Sequence, residues 1–408
     1  MKTTGALSWP GLSLLAAAIL GTGMLLAVAP SLGAGYGPSD PSKEKDDPGW
    51  TAQLKPEVNP DLAGLGDNTW KLMPHKGDAF DHPKTEVGLV YDEDVGCVVY
   101  FAGCSMGYTN NVWLYHVGSN TWKKAGAWTT KKEEESDRPV GQCGYTATYN
   151  SDLKLFFKHR GAAGSGLGRG GRLKDSNTWS LDVRTLKWEK LVEGPHDGGS
   201  DTWPATYIGY GLVYDRDVKQ AILFGGDLPE TWAFDFTAKK WSNLKAQGTP
   251  PTLYMPNMVY DTKNKVIIAY GGGINGYNGK TTDETWAYDH AKNTWENRKP
   301  AVSPPPRMQS QACYDSVNGV MILFGGHVSN YPTRLEGKDY LDTWVYDYKA
   351  NAWTEMKPAA HPQYAWHLRY MAFDPVNNVA INVVRGEGGY NKNTWAYRYK
   401  RATGTEKK

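Results

Sequence analysis

Cysteine is scarce: Cys97, Cys104, Cys143 and Cys313 are the only four in 408 residues, and no two form a C-x-x-C pair. That spacing excludes a zinc knuckle, a thioredoxin-type redox motif and a C-x-x-C-H haem site. Neither sign of charge is in excess, since 45 Lys and Arg face 43 Asp and Glu for a formal charge of +2. A nearly neutral chain gives no electrostatic case for nucleic acid or for a polybasic membrane contact. There is no G-x-x-x-x-G-K-[ST] phosphate loop. The glycine-rich stretch Gly164-Ser165-Gly166-Leu167-Gly168 precedes no helix that would offer an anion-binding N-terminus. An N-x-[ST] acceptor is absent throughout, and no stretch beyond residue 35 shows helical periodicity.

Long apolar runs are also lacking, with one exception. Residues 11–29 are apolar, follow a start whose single charged side chain is Lys2, and precede Pro30-Ser31-Leu32-Gly33-Ala34. This pattern predicts a secretory signal peptide over 1–34. The competing reading is an uncleaved membrane anchor, because the run is long enough to span a thin bilayer. Either reading places the rest of the chain outside the cytoplasm, secreted or periplasmic, with membrane contact only through this segment if it stays uncleaved. Residues 35–60 are rich in Pro, Gly and charge and are expected to form a disordered spacer. The folded part is expected over 61–404.

What the chain has in abundance is tryptophan, glycine and repetition. Trp113/Trp122, Trp179/Trp188, Trp232/Trp241, Trp286/Trp295 and Trp344/Trp353 are five pairs nine residues apart. Self-similarity at about fifty residues signals an array of one supersecondary unit. Each block opens with a β-rich run ending in Tyr91-Asp92, Tyr149-Asn150, Tyr214-Asp215, Tyr260-Asp261, Tyr314-Asp315 or Phe373-Asp374. A polar turn and an apolar run follow, the hairpin signal. The second run ends in Gly225-Gly226, Gly271-Gly272 or Gly325-Gly326, replaced in the other blocks by Ala102-Gly103, Arg160-Gly161 and Arg385-Gly386. A variable loop then leads to a step such as Asn177-Thr178-Trp179, and a last turn to the second Trp. The odd separation is expected to set the paired tryptophans opposite each other on one face of an antiparallel hairpin.

Repeated Gly-Gly, Tyr-Asp and spaced Trp resemble the kelch family of β-propellers, over about residues 68–400. The resemblance implies an all-β, six-bladed kelch propeller. Block six lacks its second Trp, while Asn68-Thr69-Trp70-Lys71-Leu72 reads like the missing fourth strand. The last blade is therefore expected to be closed by an N-terminal strand. Cys104 and Cys143, on one rim of neighbouring repeats, are the candidate disulfide. Cys97 and Cys313 fall inside strand patterns and are expected to be small buried residues.

In an up-and-down blade, turns alternate between two rims. One rim has only short turns. The other carries Gly161–Ser176, Gly273–Asp283, His327–Leu341, Ala125–Tyr145 and Gly194–Ile208, and long loops on a rigid scaffold are where binding residues usually sit. Tyr108, Tyr277, Tyr331, Tyr340 and Tyr390, with Trp128, Trp203 and Trp366, offer amphipathic rings for stacking on sugars or gripping side chains. Arg138, Arg160, Arg307, Arg334, Arg369 and Arg385, with Arg169 and Arg172, offer forked donors for a carboxylate or sulfate. An equally simple reading is that the rings pin loops and the guanidinium groups brace strand ends. His75, His82, His196, His327, His361 and His367 share this rim without metal-ligand spacing, so no metal and no cofactor is implied.

Three functions fit. The kelch resemblance implies first an exported, non-catalytic binding module presenting its loop-rich rim to a protein or glycan. The second is a carbohydrate-active enzyme, mutarotase- or epimerase-like, acting on an acidic sugar in the funnel, since exported kelch proteins include sialic-acid mutarotases. Its candidate carboxylates are Glu336, Asp339 and Glu387. The third is a copper-radical oxidase, a class that includes kelch propellers but needs a ligand from a further domain. Tyr115-His116 is suggestive for it, yet falls on the short-turn rim.

Overall fold

The structure is a computed structural model, and it describes residues 44–78, 88–101, 110–127, 136–140, 144–163, 173–195, 202–204, 209–226, 228–276, 279–328, 338–363, 371–385 and 392–402. Among these, six four-stranded antiparallel sheets follow one another. Blade 4 is representative, with strands Asn257–Asp261, Val266–Tyr270, Thr285–Asp289 and Thr294–Asn297 in simple up-and-down order. Blade 6 consists of Ala372–Asp374, Val379–Arg385 and Lys392–Arg398, and its outermost strand is Thr69–Met73 from the other end of the chain. The ring is closed as the sequence suggests.

The repeated residues explain the architecture. In each Tyr-Asp step the Asp closes the inner hairpin: Asp315 accepts from Val317 N (3.0 Å) and Asn318 N (2.9 Å), and Asp92, Asp215, Asp261, Asp374 and Asn150 do the same in their blades. The Tyr reaches the preceding blade. Tyr91 donates to Asp374 (2.8 Å), Tyr314 to Asp261 (2.5 Å), Tyr214 to Asp152, Tyr260 to Asp217, and Tyr149 to Asp92. Blade 6 carries Phe373 here and has no hydroxyl to offer Asp315.

A second staple runs farther out. The outer Trp donates its indole N–H to the Thr just before the inner Trp on the third strand of the preceding blade: Trp122 to Thr394, Trp241 to Thr178, Trp295 to Thr231 and Trp353 to Thr285, at 2.8–3.0 Å. Trp70 does the same to Thr343 at 3.0 Å, and Tyr397 donates to Asn68 as Tyr288 donates to Asn293. The N-terminal strand thus reproduces both the Trp–Thr and the Tyr–Asn bond of the strand it replaces. Blade 1 has Val112 where the Thr stands elsewhere, and Trp188 instead packs on Phe101 with ring centroids 4.8 Å apart.

Two expectations need correction. The paired tryptophans share a face but do not sit opposite each other, because the four-residue turn displaces the pairing by two residues. Tyr115 faces Trp122 and Tyr346 faces Trp353, at 5.0 Å between rings, while Trp113 lies opposite Lys124. The expected spacer is also structured from Glu44 onward. Its helix Pro48–Thr51 is capped by Asp47, Trp50 and Leu54 pack on the blade 1–2 core, and Thr51 donates to Arg184 O at 2.6 Å. Asn59 then bonds Val117 O and Asn377 Oδ1, each at 2.6 Å, tying the strap to blades 1 and 6. Charge and proline in this segment serve specific contacts rather than solvation. Cys97 and Cys313 are buried free thiols, pushed up by burial, whereas Cys104 and Cys143 lie outside the described residues.

Candidate functional site: the long-loop mouth

The inner strands line a central channel whose middle is apolar, with Leu212, Val213, Met258 and Val259 among its walls. Its short-turn end opens into a cavity of about 210 Å³ ringed by Tyr91, Tyr149, Tyr214, Tyr260, Tyr314 and Phe373. The tyrosine hydroxyls there are turned to neighbouring carboxylates, so the wall is chemically closed. The other end is the long-loop mouth.

Of the sequence-derived site residues, Tyr108, Tyr277, Tyr331, Tyr390, Trp366, Arg334 and Arg369 lie outside the described residues, as do Trp128, Arg169, Arg172, Glu336 and Glu387. Arg385 is described in its backbone, opposite Lys392. The rest are engaged within the fold. Arg307 has a fully buried side chain and donates to both oxygens of Asp342 (2.5 and 2.8 Å), to Gly325 O (2.9 Å) and to Pro305 O (3.0 Å), under the ring of Tyr340 at 4.0 Å. Burial pushes the Asp342 carboxyl up, but the guanidinium outweighs it and holds the group below its usual range. Arg160 is buried and donates to Pro204 O at 2.9 Å. Arg138 grips both oxygens of Asp46, each at 3.0 Å, and Ala127 O at 2.9 Å. These three arginines brace strand ends and the N-terminal strap. Trp203 is likewise buried, its ring 5.8 Å from His159.

The long connections of blades 2 and 5 begin as ladder, not loop. Beyond bulges at His159/Gly161 and Phe324/Gly326 the second and third strands continue to pair, through Ala163↔Leu173 and His327↔Asp339. The bulge is possible because residues with positive φ stand there, Gly325 and Gly326 in blade 5 and Arg160 at φ 58° in blade 2. His327 is buried and held below the usual histidine range by that burial, with Asp339 opposing. Tyr115 and His116 are also structural: Tyr115 donates to Asn120, and His116 sits between Ser119 Oγ and Lys55 O. Among the described residues no three His, Cys, Asp or Glu side chains group as metal ligands.

A polar cluster that sequence reading missed occupies the start of the inner strands in blades 4 and 5, joined by Asn382 on the second strand of blade 6. Gln309, Ser310 and Gln311 are at most 1% exposed. Gln309 Nε2 and Oε1, Ser310 Oγ and Gln311 Nε2 have no hydrogen-bond partner, and neither do Asn257 Nδ2 and Asn382 Oδ1. Asn382 Nδ2 donates to Gln311 Oε1, joining blades 5 and 6. Val259 and Ala312 share the core between blades 4 and 5. Asn257 and Ser310, two residues earlier on each strand, face the same junction because side chains alternate. The signal for this cluster lies five residues before each Tyr of the Tyr-Asp step. Blades 2 and 3 have Gly144 and Gly209 there at positive φ, but blades 4 and 5 have Met255 (φ 56°) and Gln309 (φ 54°).

Such sheets, repeated six times around a channel and closed by the N-terminal strand, define a six-bladed β-propeller. The family profile described as KLHDC2/KLHL20/DRC7 Kelch-repeats domain matches residues 170–379, just over half of the chain. The protein belongs to the Kelch-repeat family. The solved structure of YjhT is similar in fold, with a TM-score of 0.53 and 14% identity over 77% of this chain and 94% of that one.

Proposed function

We propose that this Kelch propeller is an exported binding module whose long-loop rim takes a protein or glycan partner. The observation that supports this reading is the contrast between the two channel ends. Polar groups at the short-turn end are paired from blade to blade, while the long-loop end leaves buried donors and acceptors unpaired. Unsatisfied buried polar groups are costly and are retained where something else satisfies them. Export rests on the apolar run 11–29 and its flanks. The acidic-sugar enzyme reading draws less support, since Arg138, Arg160 and Arg307 are committed to Asp46, Pro204 O and Asp342.

Site-specific photo-crosslinking from the full chain in its native envelope tests the reading. A photoreactive residue at exposed Asp339, beside the long-loop mouth, is expected to capture a partner, and one at Lys263 on a short turn is not. Capture from Lys263 alone would reverse the assignment of faces.

A further inference from the structure

Resting on the reading that the long-loop rim binds, we propose that the buried amide cluster is the floor of a site for an uncharged, polyhydroxylated ligand, a neutral saccharide. Three observations point there. The first is the inventory of free groups. Three amide donors (Asn257 Nδ2, Gln309 Nε2, Gln311 Nε2), two amide acceptors (Gln309 Oε1, Asn382 Oδ1) and the Ser310 hydroxyl, which does both, are buried and unpaired. A hydroxyl donates and accepts at once, and side-chain amides match it on both counts. The groups come from three successive blades rather than from one strand, Asn257 and Ser310 at the junction of blades 4 and 5 and Gln311 with Asn382 at that of blades 5 and 6, a spread that suits a ligand with hydroxyls on several sides better than an extended peptide laid along an edge.

The second observation is strain. The backbone at Gln309 adopts φ 54°, a conformation glycine supplies freely at the equivalent Gly144 and Gly209. In blade 4 the non-glycine residue is explained by packing, because Met255 joins a cluster with Tyr254 and Met308. Gln309 makes no bond with its side chain, so nothing within the fold repays its conformation. Strain held at a residue with no internal partner is a mark of a ligand site.

The third observation is charge. The charged pair that bounds the cluster is self-neutralised, Arg307 on Asp342, and burial keeps the His327 imidazole below its usual range, hence neutral at physiological pH. A floor of amides beside a cancelled ion pair discriminates against an anion and accepts a neutral ligand.

The test combines two measurements on the full chain. Thermal melting of Gln309→Leu without ligand comes first. Removing an unpaired buried amide at unchanged backbone strain is expected to raise the midpoint by about 2 °C, and Gln309→Gly is expected to raise it by relieving the strain. If the amide instead holds structural water or a hidden partner, Gln309→Leu lowers the midpoint and the proposal fails. The second measurement is binding of labelled protein to an immobilised array of neutral, sialylated and uronic-acid glycans. Neutral glycans are expected to bind, with at least a tenfold loss in Gln309→Leu and in Gln311→Leu. Binding confined to acidic glycans, or neutral binding that both variants retain, overturns the proposal while leaving a rim-binding function intact. No glycan binding together with photo-capture of a protein from Asp339 likewise removes the saccharide and keeps the rim. No glycan binding and no capture from Asp339 removes both.

Discussion

The two mouths of the channel are built from the same six inner strands and differ in how their polar groups are settled. At the short-turn mouth five tyrosine hydroxyls each find a carboxylate on the preceding blade. A repeat can satisfy a polar group by repetition, because every blade supplies the acceptor its neighbour needs. At the long-loop mouth the blades diverge: Gly88, Thr146, Gly211, Asn257 and Gln311 stand at one and the same position of the inner strand. Gly88 and Gly211 leave no space, since a Cβ there would meet Tyr145 at 3.2 Å and the Met258 side chain at 2.2 Å. Blades 1 and 3 are thus filled with ring and thioether, while blades 4 and 5 carry amides. Divergence at one end of an otherwise regular ring, against pairing by repetition at the other, is the contrast on which the proposed binding face rests.

That division is broken most severely at the seam. Trp70 is 4% exposed, packs 4.8 Å from the ring of Tyr397 and donates to Thr343 across the blade 5–6 junction. Trp70→Ala is expected to cost about 3–5 kcal/mol by urea denaturation, the range for buried Trp truncations. Thr343→Val, which removes only the acceptor, should cost about 1 kcal/mol. Equal losses would mean that the hydrogen bond, not the buried ring, holds the seam.

The next test asks to which mouth Arg307 belongs in kind. Its side chain is fully buried and, among the described residues, Asp342 is the one carboxylate within hydrogen-bond reach of it. Asp342→Ala strands that charge, and the expected loss is about 3 kcal/mol. The double change Arg307→Met with Asp342→Ala should recover most of it, since an apolar pair of similar volume often replaces a buried ion pair without penalty. If Asp342→Ala instead left stability unchanged and created affinity for a carboxylate such as glucuronate, Arg307 would be a ligand-binding residue after all.

The fold was open to reading because its determinants repeat. Tyr-Asp, Gly-Gly and the spaced Trp mark every turn and staple, and Asn68-Thr69-Trp70 betrays the closing strand by matching Asn120-Thr121-Trp122. Arg138, Arg160 and Arg307 were ambiguous in the sequence because a guanidinium near a strand end answers to two chemistries, and only tertiary packing supplies partners such as Gly325 O or Pro204 O. Gln309, Ser310 and Gln311 escaped notice because a polar triplet after Pro-Pro-Pro-Arg-Met reads as loop. Its burial depends on how blades 4 and 6 stack against blade 5, a fact of tertiary packing alone. The strap was missed for a related reason: Asp46 and Asp47 look solvated until Arg138 and Lys123 arrive from elsewhere in the chain.

The smallest effect concerns the one gap in the tyrosine ring. Phe373 denies Asp315 the hydroxyl that Asp261 and Asp374 receive. Asp315 is held by Val317 N, Asn318 N and Asn318 Nδ2, and burial still pushes its carboxyl above the usual range. Phe373→Tyr is expected to add about 1 kcal/mol, and Tyr314→Phe, which opens a second gap at Asp261, to remove a similar amount. The pH dependence separates this from mere packing. A carboxyl whose folded pKa exceeds its unfolded value of 3.8 favours the fold most below that value, and that contribution is lost as pH rises through the folded pKa. A hydroxyl donor stabilises the charged form and cuts the loss. The gain from Phe373→Tyr should therefore be larger at pH 7 than at pH 3, with binding at the opposite mouth unchanged in both variants. A gain that is the same at both pH values would show that the new hydroxyl does not reach Asp315.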